Sequence, residues 1–477
     1  MKGLKGYIIA CCLLGCLAWP VQGMTRQDSL FSERCQNLDL PILYIVTQDS
    51  VFPTYTAVDA PEGCDGQGIT NNEKVPGRMV IVLNRDTIWD TGEYVKDTSG
   101  MTIKVRGNST ASSTHTDKKP YKIKLQKKKD LLFRGNESVY ADKEWVLLRK
   151  ALCETMVANM VNRALGMSWV PAQEPVFVFL NDNFRGIYLL SECIKRNTKC
   201  RVDIAKDGYL FEYDAYWWNE DFYINSRYKY NYTLKYPEAD EILPEQVNYL
   251  TEHLQKVEDK FGEPLSLDSV IDVPSYARWL WVHDMTGSKD GGGSNMYLIK
   301  PDSTVNSKQA MICAWDFDGC FKIEGSWSSV HNLWWFKEFF EMPQREFVNE
   351  YIRMYDEEVE GLFDAMVSAT DSLHGTSLAT TLDSAFVMDN QRWTLHSSSA
   401  KTQFQTLKGF FTRRKTAISR LMAELKEAYI LSAIPMVGAE EQRAFDVFGR
   451  PVRETAPGVL MIIRNSDGTA CKRIIMR

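Results

Sequence analysis

The sequence predicts an α+β fold in which strands come first and helices follow. Two observations carry this. Runs of alternating or β-branched apolar residues dominate up to Tyr213, and apolar residues at helical spacing dominate from Pro244 to Leu425. A third observation sets the scale: 477 residues, 44% hydrophobic and 25% charged, are ordinary values for a globular chain long enough to bury a sizeable core.

The elements follow in order. Leu40 to Gln48 (LPILYIVTQ) is β-branched and apolar, hence a strand. Residues 52–76, rich in Gly, Pro, Asp and Asn, read as a long loop, and Arg78–Asn84 and Met101–Val105 as further strands. Tyr121 to Leu125 alternates strictly, so Tyr121, Ile123 and Leu125 share one face and Lys122 and Lys124 the other. Trp145 to Leu165 has helical spacing and stops at Gly166. Pro175 to Leu190 reads as a hairpin turning at Asn181-Asp182-Asn183, and Gly208–Tyr213 as a short strand. Pro244–Phe261 and Val273–Met285 are predicted helices, Asn295–Ile299 and Gln309–Ala314 a second hairpin, and Pro343–Ser368 and Thr402–Leu425 long amphipathic helices. Three short strands close the chain as a small β module over 434–477.

Residues 1–23 read as a secretory leader. Lys2 and Lys5 precede an apolar run from Tyr7 to Trp19, too short to span a bilayer, and Val21-Gln22-Gly23 offers a cleavage site. Leu13-Leu14-Gly15-Cys16 gives a rival reading, a lipid anchor at Cys16. Either way the mature chain is expected to be exported: periplasmic, at the cell surface or secreted. No later segment is long and apolar enough for a transmembrane helix. Of eleven cysteines, three leave with the leader; the other eight form an even set that permits disulfides in an oxidising compartment. A net charge of −6 argues against a nucleic-acid partner.

Two segments carry candidate chemistry. In Lys289-Asp290-Gly291-Gly292-Gly293-Ser294-Asn295, Asp290 and Asn295 have the D-x-x-x-x-N spacing of a phosphotransfer loop, with Asp290 as catalytic carboxylate and Asn295 as metal ligand. Asp316-Phe317-Asp318 follows an apolar strand, and two carboxylates one residue apart can share a Mg²⁺ or Mn²⁺ ion completed by phosphate oxygens. A third segment supplies cations. Arg106-Gly107-Asn108-Ser109-Thr110, then Lys118-Lys119-Pro120-Tyr121-Lys122-Ile123-Lys124-Leu125, reads as a hairpin over phosphates. Arg106 would offer a fork, Lys122 or Lys124 a point charge, and backbone amides near Ser109 an anion nest. Each signal alone is weak; their order and proximity strengthen them.

These blocks together resemble the CotH (spore coat protein H) kinase family. Further matches run in the same order: Lys143 to Leu148, Phe184 to Glu192, Gly208 to Asp214, Trp315 to Asp318, and Leu407 to Arg414, so that the resemblance covers residues 38–427. It implies an atypical protein-kinase-like fold, β-rich in the N-terminal half and helical in the C-terminal half. It implies Mg-ATP-dependent phosphorylation of Ser or Thr on an exported protein substrate. Asp290 would be the catalytic Asp, Asp316 the metal ligand and Asp318 its assistant, and Glu192 would pair a phosphate-binding lysine. One departure stands out: relatives often carry Arg-Asn in the helix after the W-x-L-L block, where this chain has Ala158-Asn159. The 434–477 segment resembles C-terminal modules of exported Bacteroidetes proteins, some of which act as sorting signals. A second function class stays open: a catalytically silent surface protein acting in adhesion, assembly or carbohydrate binding, for which Tyr213, Tyr216, Trp217, Trp218, Phe222 and Tyr223 would be the aromatic platform.

Overall fold

The computed structural model describes residues 23–433, apart from 65, 71–72, 113–115, 229, 262–265 and 342–344, together with the backbone of four short strands beyond residue 443. All but the last residue of the 1–23 leader, including Cys16, lies outside the described residues.

Eight strands form the main sheet: β1 (Ile42–Thr47), β2 (Val75–Leu83), β3 (Asp86–Asp90), β4 (Met101–Val105), β5 (Tyr121–Lys129), β6 (Asp142–Leu148), β7 (Gln173–Leu180) and β8 (Asn183–Glu192). Their order is β1-β7-β8-β6-β5-β4-β2-β3, and β1 also pairs antiparallel with β2, from Ile42↔Val82 to Thr47↔Gly77. That last pairing closes seven strands into a barrel and leaves β3 outside, hydrogen-bonded to β2. Closure sorts side chains by parity. Leu43 and Ile45, Ile103 and Val105, Tyr121, Ile123 and Leu125, and Trp145 and Leu147 meet in one buried interior cluster. Their neighbours Ile42 and Tyr44 face outward against the helices. Each fully buried Leu or Ile contributes roughly 1.5–3 kcal/mol.

The predicted helix from Trp145 is corrected here. Trp145 to Leu148 ends β6, and helix α2 (Leu152–Ala164), which follows the N-terminal helix α1 (Arg26–Cys35), begins only after a left-handed Ala151 at φ 54°. Trp145 and Leu147 point into the barrel while Val146 joins a separate cluster outside it. With apolar side chains on both faces, the run carries no period-two signature. The predicted loop 52–76 also holds a small hairpin, Ala57–Asp59 with Gln67–Ile69.

A second sheet, ordered β10-β11-β9-β12-β13, follows: β9 (Tyr209–Tyr213), β10 (Tyr223–Asn225), β11 (Asn231–Tyr236), β12 (Met296–Lys300) and β13 (Ala310–Ala314). The helices are α3 (Pro244–Lys260), α4 (Val273–Thr286), α5 (Trp334–Glu341), α6 (Arg345–Met354), α7 (Glu360–His374), α8 (Ser377–Arg392) and α9 (Ala400–Ala433). The molecule is thus mixed α+β, β-rich first and helical after. Helix α4 is central. Its N-terminus is capped by Asp272, which accepts from Ser275 N at 3.1 Å, and it stops at a left-handed Gly287. Tyr276, Trp279, Leu280 and Trp281 are fully buried, so it is apolar almost all round, as an interior helix must be. Beyond residue 443 four strands, not three, form a separate small antiparallel sheet.

The seven described cysteines are all free, and five of them are buried; the permitted disulfides are not formed among them. No helix among the described residues is long and apolar enough to cross a membrane.

Candidate active site

The end of α4 and the end of β13 are laced together by backbone. Phe321 N donates to Thr286 O at 2.6 Å, Ile323 N to Gly287 O at 3.1 Å, and Lys289 N to Gly319 O at 2.9 Å. The last of these brings the Asp290 loop onto the Asp316-Phe317-Asp318 turn. A β-carbon on Gly319 would stand 2.7 Å from Cβ of Asp290, closer than side chains approach, so glycine is required there. The loop itself is wedged: a β-carbon on Gly291 would meet the His283 ring at 2.6 Å, and one on Gly292 would meet Leu333 at 2.5 Å.

Asp316 caps a single 3₁₀ turn, Phe317–Gly319, in the left-handed region at φ 59°. Asp tolerates that conformation better than most residues. The strand leading to it is held by Asn162 of α2, whose side-chain oxygen accepts from Ala314 N at 3.1 Å and whose amide donates to Ala314 O at 3.0 Å. Asn162 also donates to Asn159 at 3.0 Å, and Asn159 to Gln173 at 2.8 Å.

These elements border a recess that is partly open to solvent. Three basic residues line it, Arg106, Arg149 and Lys150, together with Asp316 and Asp318, the amides Asn159 and Gln173, and an apolar floor that includes Leu148, Trp315 and Phe317. Lys150 pairs with Asp318. Asp316 and Asp290 are open to solvent. Asp316 is nonetheless hemmed in by the recess walls, and burial and its neighbour Asp318 push its carboxyl up to about 6 against the pull of Arg106 and Lys150. Partial burial and the charge of Asp318 likewise push the Asp290 carboxyl up, with Lys150 opposing.

Asp290 and Asp316, each pushed up in part by the charge of Asp318, with Lys150 among them, form a carboxylate cluster that a bound cation would relieve. Oxygen-only donors of this kind suit a hard divalent cation completed by phosphate oxygens and water. Among the described residues no three His, Cys, Asp or Glu side chains already converge on one point as a metal cage. The donor set fits Mg²⁺ or Mn²⁺ held by Asp316 and Asp318.

Of the residues the sequence singled out, the fold brings together Asp290, Asp316, Asp318 and Arg106. It sends others elsewhere. Lys122 and Lys124 leave the barrel's outer face as expected, but both close on Glu144 of β6, at 2.7 and 3.4 Å, and neither lines the recess. Glu192 pairs with Arg134 at 2.8 Å and with buried Arg201, not with a lysine. Ser109 is exposed and outside the recess; its neighbour Thr110 lines it. Asn295 is buried at the start of β12 and also lies off the recess, while adjacent Ser294 is bound to Asp214. The aromatic residues pack largely on one another: Trp217 on Tyr223 at 4.5 Å and Tyr213 on Trp335 at 5.7 Å between centroids.

Arg149 and Lys150 were not found by sequence reasoning. Their signal was their place directly after the W-x-L-L block, at what the structure reveals as a strand's end. Ala158, where relatives often carry Arg, is fully buried. A family model described as CotH kinase protein matches residues 103–418, and no curated protein matches the chain.

Proposed function

The chain belongs to the CotH kinase protein family, and from that premise we propose that it is a Mg-ATP-dependent kinase of atypical kinase-like fold that phosphorylates Ser or Thr on exported or surface proteins. The observation that supports this most is the backbone bond from Lys289 to Gly319, which sets Asp290 beside the Asp316–Asp318 turn at one end of a cation-lined recess.

In this reading each residue has a task. Asp316 and Asp318 hold the metal, which when bound neutralises phosphate charge. Lys150, half-exposed beside Asp318, would be free to turn to phosphate where a metal took Asp318 as ligand. Asp290 accepts the proton of the acceptor hydroxyl as that oxygen bonds to the terminal phosphorus; the bond from phosphorus to the bridging oxygen breaks, and the nucleoside diphosphate leaves with its electron pair. An upward-shifted carboxyl is a better base than an ordinary one. Arg106, next to Asp316, balances charge on the phosphate side.

Incubation of the mature protein with labelled ATP and Mg²⁺ or Mn²⁺ tests the reading. Metal-dependent label on Ser or Thr supports it. An intact, folded protein that binds ATP-metal and transfers nothing to itself or to a panel of surface proteins argues for the silent alternative.

A further inference from the structure

Arg149 is 6% exposed. Its Nη2 donates to Thr110 O at 3.1 Å, and its Nε is buried with no acceptor. No carboxylate among the described residues lies within ion-pair distance of it. The other buried arginines among the described residues have more partners: Arg201 has Glu192, Arg414 donates to the carbonyls of Asp284, Glu324 and Ser326, and Arg185 donates to Asn183 and to the carbonyl of Asp117 and stacks on Trp393. A guanidinium remains charged under all ordinary conditions, and a buried charge without a partner is strongly unfavourable. One carbonyl does not offset that. Burial indeed works against the charge of this group.

The side chain lines the recess, alongside Arg106 and next in sequence to Lys150, which already answers Asp318. The feature missing from its surroundings is an anion, and the space open to one is the recess. We propose that Arg149 is the principal ligand for the polyphosphate tail of the nucleotide, a buried fork left unpaired until phosphate oxygens fill it. Its planar donors match two oxygens of one phosphate or of adjacent phosphates. The identity of the anion rests on the kinase reading; the need for an anion rests on the unpaired guanidinium alone.

The test uses the whole mature protein and inorganic tripolyphosphate as probe, with calorimetry and thermal melting on the wild type, Arg149→Met and Arg149→Lys. The expected result is tripolyphosphate binding that weakens at least 10-fold in Arg149→Met and by less in Arg149→Lys. Without ligand, Arg149→Met melts no lower than wild type, because an unanswered charge has been removed. Equal affinity in Arg149→Met and wild type overturns the proposal. So does a wild type that binds no tripolyphosphate, and so does a lower ligand-free melting temperature in Arg149→Met, which would make the residue a brace for the Thr110 loop. The two readings fail separately. Arg149-dependent tripolyphosphate binding without any transfer from ATP removes the kinase and keeps the anion site. Undiminished transfer in Arg149→Met does the reverse.

Discussion

Lys118 and Asp389, 271 residues apart in the chain, form an ion pair 2.8 Å long in which both side chains are completely buried. The same Asp389 oxygen accepts from Ile187 N at 3.0 Å, Lys118 also donates to Ile187 O at 2.6 Å, and His396 meets the other oxygen at 3.0 Å. The barrel and helix α8 are thus tied through one carboxylate. Asp389→Ala is expected to destabilise the protein by about 3–5 kcal/mol, because it leaves Lys118 buried and uncompensated. Adding Lys118→Met should restore part of that loss, which a double-mutant cycle in urea measures. Burial pushes the Asp389 carboxyl up, but Lys118 and His396 pull it further down, to a net position below its usual range. Its contribution is therefore present above about pH 4 and is lost as pH falls below that.

Asp316→Asn is expected to abolish metal-dependent nucleotide binding in calorimetry, with a smaller effect from Asp318→Asn. Because the Asp316 carboxyl is raised to about 6, the folded state holds its proton more tightly than the unfolded chain. Stability then falls as pH rises from about 4 toward 6, and the strain is fully present above that. Asp316→Asn should consequently raise the ligand-free melting temperature at pH 7. Mg²⁺ affinity of the wild type should tighten as pH rises through about 6, as the metal displaces a proton. Unchanged Mg-ATP affinity in Asp316→Asn would remove this residue from the site.

Asp290→Asn should lower turnover about 10²–10⁴-fold and leave the nucleotide dissociation constant and melting temperature nearly unchanged. The residue is exposed and makes no side-chain hydrogen bond among the described residues, so folding has little to lose. Full autophosphorylation in this variant would exclude it from the chemistry.

Glu144 carries a structural charge cluster. Burial raises its carboxyl, but Lys122, Lys195 and Lys124 lower it further, to about 2. Glu144→Gln should destabilise by about 1–3 kcal/mol at pH 7, and the wild type should lose this contribution as pH falls from about 4 to about 2. Lys124→Met, at a half-exposed site, should change stability by less than about 0.5 kcal/mol and ATP affinity not at all. A raised ATP dissociation constant in either Lys122→Met or Lys124→Met would return these lysines to the phosphates.

How far the site could be read from sequence depended on the kind of signal. Asp290, Asp316 and Asp318 were legible because loop spacing and a strand-end position survive in one dimension. The alternation of Tyr121 to Leu125 correctly assigned faces, but a face does not name a partner. Only the register, which sets Lys124 opposite Glu144, shows that β6 carries the answering carboxylate. Arg149 and Lys150 were hidden by the doubly apolar end of β6, which mimics a helix; once the strand stops at Leu148, they fall at its mouth. Barrel closure was illegible because β1 pairs with both β2 and β7, and nothing in the nine residues from Leu40 to Gln48 announces two partners.

That closure also determines where a foreign strand could attach. A ring of seven strands offers no unpaired ladder, so among the described residues the main sheet is exposed to strand addition along β3 alone. That strand is five residues long, solvent-facing, and begins and ends with aspartate; Asp90 is further engaged by Arg78. Short length and charge are the features that discourage edge-to-edge association. In the second sheet one edge, β10, is only three residues long. A protein substrate that reaches Asp290 would accordingly be gripped through side chains and loops, and recognition by β-augmentation at the barrel is disfavoured.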